Sequence, residues 1–250
     1  MRIDVLTLFP EMFEGPLRAS LLGRAIQDGK LDVAVTDIRD FATDKHRTVD
    51  DAPFGGGAGM VMKCEPLFAA VESLRGANSI DRIVLLSPKG RRLTQAALRE
   101  LAQAPDAVLI CGRYEGVDER VRDALCTDEI SIGDYVLSGG ELAALVIIEA
   151  VSRLISGVIG DWDSVTTDSF YDGILGPPQY TRPAVFRGMG VPAVLREGNH
   201  AAIRRFRRKE ALRVTRARRP DLLSACSEED LDLLAELERE GSESEREKEA

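Results

Sequence analysis

The sequence is short of the residues from which many enzyme classes build their chemistry. Aromatic side chains make up 5% of its 250 residues, and the two histidines, His46 and His200, belong to no HExxH motif. Zinc hydrolysis through that motif is excluded, because it needs two histidines one helical turn apart beside a glutamate. The four cysteines, Cys64, Cys111, Cys126 and Cys226, are widely spaced, and no CxxC pair offers a zinc site or a dithiol redox centre. No metal ligands are assigned, and the cysteines read as buried thiols. A P-loop is missing too, since Gly29-Lys30 is followed by Leu31 rather than Ser or Thr. The run GGGAGM at 55–60 fails GxGxxG in either register, which argues against a nicotinamide-dependent oxidoreductase. No apolar run approaches the roughly 20 residues of a membrane span. The start, MRIDVLTLFP, lacks the basic and apolar regions of a secretory signal. A cytoplasmic protein with no membrane partner is expected.

What is present is charge, unevenly spread. The formal net charge is -9. Residues 227–250 hold eleven acidic and three basic residues, a net of -8, which leaves the remainder near -1. Within that remainder, 196–219 carries ten basic and two acidic residues. Cations so crowded repel one another unless a polyanion or the acidic end screens them. We read this segment as a nucleic-acid footprint; the plain alternative is a solvated helix face.

Apolar segments of strand length at 2–8, 31–37, 82–86, 107–111 and 129–132 alternate with helical patterns. That alternation predicts an α/β domain with a mostly parallel sheet. Glycine-bearing loops follow three of these strands: SPKG at 87–90, CGRYEG at 111–116 and SIGDYVLSGGE at 131–141. In open α/β sheets ligands bind at the carboxyl ends of strands, so the three loops are expected to converge on one small molecule. The run ELAALVIIEAVSRLI at 141–155 is apolar around most of its circumference. It reads as a central core helix or a subunit contact, and we favour the contact. After Gly160 the chain turns rich in Gly, Pro, Asp, Ser and Thr, as a linker would, and two apolar-poor helical segments follow.

GRYEGVDERV, SIGDYVLSGGE, FGGGAGM, LFPEMF, RTVDD, YTRP and GNHAAIRR together closely resemble the bacterial tRNA (guanine-N1)-methyltransferases, the TrmD family. The resemblance implies a parallel α/β domain with a deep trefoil knot, the SPOUT arrangement, plus a small all-helical C-terminal domain, in a homodimer. The expected organisation is a knot domain at 1–160, a linker at 161–175, a helical tRNA-binding domain at 176–240 and a disordered acidic tail at 241–250. The resemblance further implies S-adenosyl-L-methionine as methyl donor, held by Leu85, Leu86, Ser87, Pro88, Gly112, Tyr114, Glu115, Ser131, Ile132, Gly133, Tyr135, Leu137, Gly139 and Gly140. These positions coincide with the three loops.

The implied reaction is transfer of that methyl group to N1 of the guanosine just 3′ of the anticodon in tRNA, with no DNA partner. Guanine N1 bears a proton at neutral pH, so the reaction needs a base and a positive group for charge moving onto O6. By resemblance these are Asp168 and Arg153; read without it, they are a helix cap and a helix-end charge. The chain departs from the family pattern at Ala58, Lys89, Ala143 and Thr167. Thr167 stands where an acidic residue usually precedes the catalytic aspartate, which leaves Mg2+ a possible requirement only. The competing readings are a SPOUT enzyme with another RNA target and a non-catalytic RNA-binding protein.

Overall fold

The computed structural model describes residues 1–76 and 80–249 and divides into two compact units, Met1–Gly160 and Asp161–Ala250. In the first unit, β1 (Arg2–Thr7), β2 (Asp32–Asp37), β5 (Ile83–Arg92), β6 (Asp106–Cys111) and β7 (Asp128–Ser131) form one sheet in the order β2-β1-β6-β5-β7. Every pairing in it is parallel. A two-stranded antiparallel pair, β3 (Asp50–Asp51) with β4 (Val61–Met62), lies outside that sheet. The helices are α1 (Glu11–Glu14), α2 (Ser20–Gln27), α3 (Cys64–Arg75), α4 (Gln95–Ala102), α5 (Glu119–Leu125) and α6 (Glu141–Ser152).

Strand alternation sorts the core onto the two faces of the sheet. Ile3, Val5, Val84, Leu109 and Cys111 point to the face covered by α2, α4 and α6. Leu6, Ile83, Leu85, Val108 and Ile110 point to the face covered by α3 and α5. The run expected to be a subunit contact therefore serves the core first: Ala144, Ile147, Ile148 and Val151 of α6 are fully buried. Leu142 and Val146, one turn apart on the same helix, remain about half exposed. Among the described residues no helix is long and apolar enough to cross a membrane.

The second unit holds α7 (Trp162–Thr166), α8 (His200–Arg218) and α9 (Glu228–Glu249). It departs from the all-helical expectation, because β8 (Val185–Phe186) and β9 (Met189–Gly190) form an antiparallel hairpin. Arg187 and Gly188 both take positive φ, 51° and 79°, the backbone that a two-residue hairpin turn requires. The stretch read as a linker also differs: it contains α7, and Ile174 packs in the unit's core with Leu212, Leu233 and Leu237. Through the acidic end α9 runs to Glu249, built largely of Glu, Arg and Lys, which are good helix formers. Its acids meet the bases of α8: Asp230 grips Arg208 at 2.6 and 2.8 Å, Glu236 takes Arg205 and Lys209, and Glu240 takes Lys209 and Arg213. The Arg208 guanidinium holds the buried Asp230 carboxyl below the ordinary carboxylate range.

Two predictions follow from this packing. Leu237→Ala should destabilise the second unit by about 2–5 kcal/mol, measured by chemical denaturation, because the site is nearly sealed. The depressed Asp230 pKa makes the unfolded chain bind the proton first, so this contribution is complete above about pH 4 and lost as pH falls further. Thermal melts from pH 7 to about 3 should show that loss, and Asp230→Asn should remove this part of the slope.

Candidate active site

Strands β6, β5 and β7 lie side by side, and an excursion within β5 together with the loops leaving β6 and β7 lines a cavity of about 1030 Å³. Every residue that the resemblance assigned to the methyl donor lines this cavity, from Leu85 to Gly140. The first loop is an excursion within a strand: Leu86 and Arg91 both pair with Ile130, so Ser87–Pro88–Lys89–Gly90 bulges out while β5 resumes beyond it. The Ser87 hydroxyl accepts the Lys89 N–H at 3.1 Å and tightens that bulge.

The second and third loops are joined through backbone. Gly140 N–H donates to the Gly112 carbonyl at 2.9 Å, and Arg113 forms an isolated antiparallel bridge with Gly139. Glycine at 140 is a steric requirement, because a Cβ there would lie 2.8 Å from the Cys111 Cα, closer than real contacts allow. In the third loop the Ser131 hydroxyl donates to the Gly133 carbonyl at 3.0 Å, and the Tyr135 hydroxyl reaches the Ile132 carbonyl at 3.4 Å.

The remaining wall comes from residues that sequence reasoning did not assign to the site, though Asp51 and Phe54 fall in quoted motifs. Asp51, Ala52, Pro53 and Phe54 line the cavity, as do 61–65 on β4 and the start of α3. Glu115 N–H donates to the Met60 carbonyl at 2.9 Å, which ties the glycine-rich 55–60 segment to the second loop. Phe54 is fully exposed, and Tyr114 and Tyr135 are about half exposed, so three flat faces border the opening. Tyr114 adopts φ 61°, a conformation uncommon outside glycine, and partial burial with the nearby Asp50 charge pushes its hydroxyl pKa up. Concave volume, approachable backbone and aromatic faces suit a ligand with a purine ring and a polar tail.

The two residues proposed for chemistry lie elsewhere in the chain. Arg153 caps the C-terminus of α6, where a cation also suits the helix dipole, and it is not among the cavity's lining residues. Asp168 follows α7 in the second unit. Its neighbour Thr167 donates its hydroxyl to the Asp163 carbonyl at 2.8 Å. Among the described residues no three His, Cys, Asp or Glu side chains cluster to hold a cation, and no step is routed through Mg2+.

Sequence reasoning gave no role of their own to Arg113, which lines the cavity, and Glu141, which is buried against it. Glu141 is fully buried at the first turn of α6, with Thr7 Oγ1 donating to it at 2.8 Å and Arg113 Nη2 2.9 Å away. The available signal was a lone carboxylate opening an apolar helix, which reads as an ordinary first-turn acid.

The sequence profile of the family described as tRNA (Guanine-1)-methyltransferase TrmD matches residues 1–225. A tRNA (guanine-N(1)-)-methyltransferase of Geobacter sulfurreducens is 56% identical over 243 residues, 96% of this chain and 99% of that protein. Proteins of the same name from Chloroflexus aggregans and Dehalococcoides mccartyi are 56% and 58% identical, covering 94% and 89% of this chain and 95% and 90% of their own lengths. With a profile over most of its length and relatives this similar across nearly all of it, the chain belongs to the tRNA (guanine-1)-methyltransferase family, TrmD.

Proposed function

We propose that this chain transfers the methyl group of S-adenosyl-L-methionine to N1 of the guanosine immediately 3′ of the anticodon in tRNA. The observation that carries this reading is the convergence of all three glycine loops on one cavity in a chain of this family. Bound there, the donor supplies a methyl group made electrophilic by the positive sulfonium beside it. As guanine N1 attacks, the N1–C bond forms, the S–C bond breaks and the sulfur keeps the electron pair. Asp168 accepts the N1 proton, and Arg153 holds the negative charge moving onto O6.

The chain reads as a knotted SPOUT fold. The hard contact of Gly140 against Cys111 and Leu86 is the approach that a threaded loop requires. We read the protein as a cytoplasmic homodimer, supported by the exposed apolar stripe of Leu142 and Val146 and by exposed Tyr135 and Val136. Arg153 and Asp168 then meet across that dimer, one from each protomer. RNA is taken by α8. Arg204, Arg207 and Arg218 are exposed, form no ion pair among the described residues, and share one stripe at helical spacing, while α9 neutralises the bases beside them.

Asp168→Asn should cut methyl transfer by about 10²–10⁴-fold with donor affinity unchanged, read as loss of the polymerase stop that N1 methylation causes in primer extension. A tRNA with adenine in place of the target guanine should give no stop at all. Mixing the separately inactive Arg153→Ala and Asp168→Asn proteins should restore activity, since one mixed site is then intact. Continued inactivity of the mixture would show that both residues act within one protomer.

A further inference from the structure

Beside the cavity stands a charge pair that no step of the proposed reaction uses: Arg113 in its lining and Glu141 buried against it. The Arg113 side chain is 16% exposed and the Glu141 side chain 1%, yet both are ionic residues in the middle of the cofactor loops. Their surroundings tie four pieces of chain together. Glu141 Oε1 accepts from Thr7 Oγ1 on β1 at 2.8 Å, and Glu141 Oε2 faces Arg113 Nη2 at 2.9 Å. Arg113 Nη1 donates to the Ser138 carbonyl in the third loop at 3.3 Å, and the guanidinium lies over the Phe9 ring, 4.2 Å from its centroid. Gly139 leaves room for this arrangement, because a Cβ there would overlap Arg113 Nε and Glu141 Oε2.

A carboxylate in the first turn of a helix ordinarily interacts with the dipole and water, and neither requires complete burial or an arginine from another loop. Here Arg113 Nε and Glu141 Oε2 have no hydrogen-bond partner among the described residues. The pair is held by opposite charge and enclosure, so removing one partner strands the other as a buried, uncompensated charge. Besides β1 and the Phe9 segment, this charge pair spans segments that shape the cavity: the loop after β6, the loop after β7 and the first turn of α6.

From this geometry we infer that Arg113 and Glu141 are positioning residues that latch the second and third cofactor loops together and so set the affinity for the methyl donor. The inference rests on the cavity being the donor site. Neither residue touches the reacting atoms; they act through the backbone of Gly112, Ser138, Gly139 and Gly140. The latch also anchors the loops to β1 through Thr7, which fixes them against an interior strand of the sheet rather than against one another alone.

The test is calorimetric titration of S-adenosyl-L-methionine into the full-length protein and two variants, with melting temperature and steady-state kinetics measured alongside. Glu141→Gln keeps an acceptor for Thr7 but removes the charge facing Arg113. Arg113→Lys keeps the charge but, as a single ammonium, cannot hold Glu141 and the Ser138 carbonyl together. Each folded variant is expected to bind the donor about tenfold more weakly or worse, while KM for tRNA and kcat at saturating donor stay within about threefold. Donor affinity within about twofold of wild type in either folded variant would overturn the inference and leave the pair a stability element only. If Glu141→Gln fails to fold, Arg113→Lys decides alone. Failure of the wild-type protein to bind donor is a separate outcome, which would refute the reading of the cavity itself and this inference with it.

Discussion

Loops from neighbouring parallel strands can meet only if their backbones approach closer than a side chain permits. In this protein the approach occurs at Gly140, whose backbone lies against Cys111 and Leu86 and donates to Gly112. A parallel sheet sets β6, β5 and β7 side by side, but it does not make their loops converge. The glycine contact does, and the cavity follows from it. The Arg113–Glu141 pair then holds laterally what the glycine has brought together.

The second unit solves a different electrostatic problem. A helix with as many bases as α8 would repel itself, and α9 relieves part of that repulsion with Asp230, Glu236 and Glu240 while Leu233 and Leu237 supply packing. The partition is uneven around the helix. Arg205, Arg208, Lys209 and Arg213 are neutralised, whereas Arg204, Arg207 and Arg218 keep their charge for solvent or a polyanion. The net negative charge of the whole chain therefore says little about the surface that RNA would meet.

Much of this architecture was legible in the sequence, for identifiable reasons. The strands of the sheet announce themselves as short β-branched runs such as RIDVLT and DAVLIC, since both faces of a parallel sheet are buried. Strand order is set by contacts distant in sequence and carries no local signal. Pro88 and Gly90 are turn residues, so β5 was expected to end near Leu86, whereas it continues to Arg92 past the bulge. Composition measures charge but not its partner, so the particular pairings of Asp230, Glu236 and Glu240 with α8 carried no local signal. The glycine loops pointed to the cavity by themselves, while Arg153 and Asp168 stood out only through the family resemblance. Arg113 and Glu141 lay inside quoted loop motifs but carried no signal of each other, because their partnership exists only once the two loops lie side by side.

The central claim is that close backbone approach at Gly140 builds the pocket for the methyl donor, and titration of S-adenosyl-L-methionine into wild-type and Gly140→Ala protein tests it most directly. The account predicts saturable binding by wild type and an affinity at least about tenfold weaker in Gly140→Ala, with the circular dichroism of the sheet retained. Equal affinity in the two proteins would contradict it.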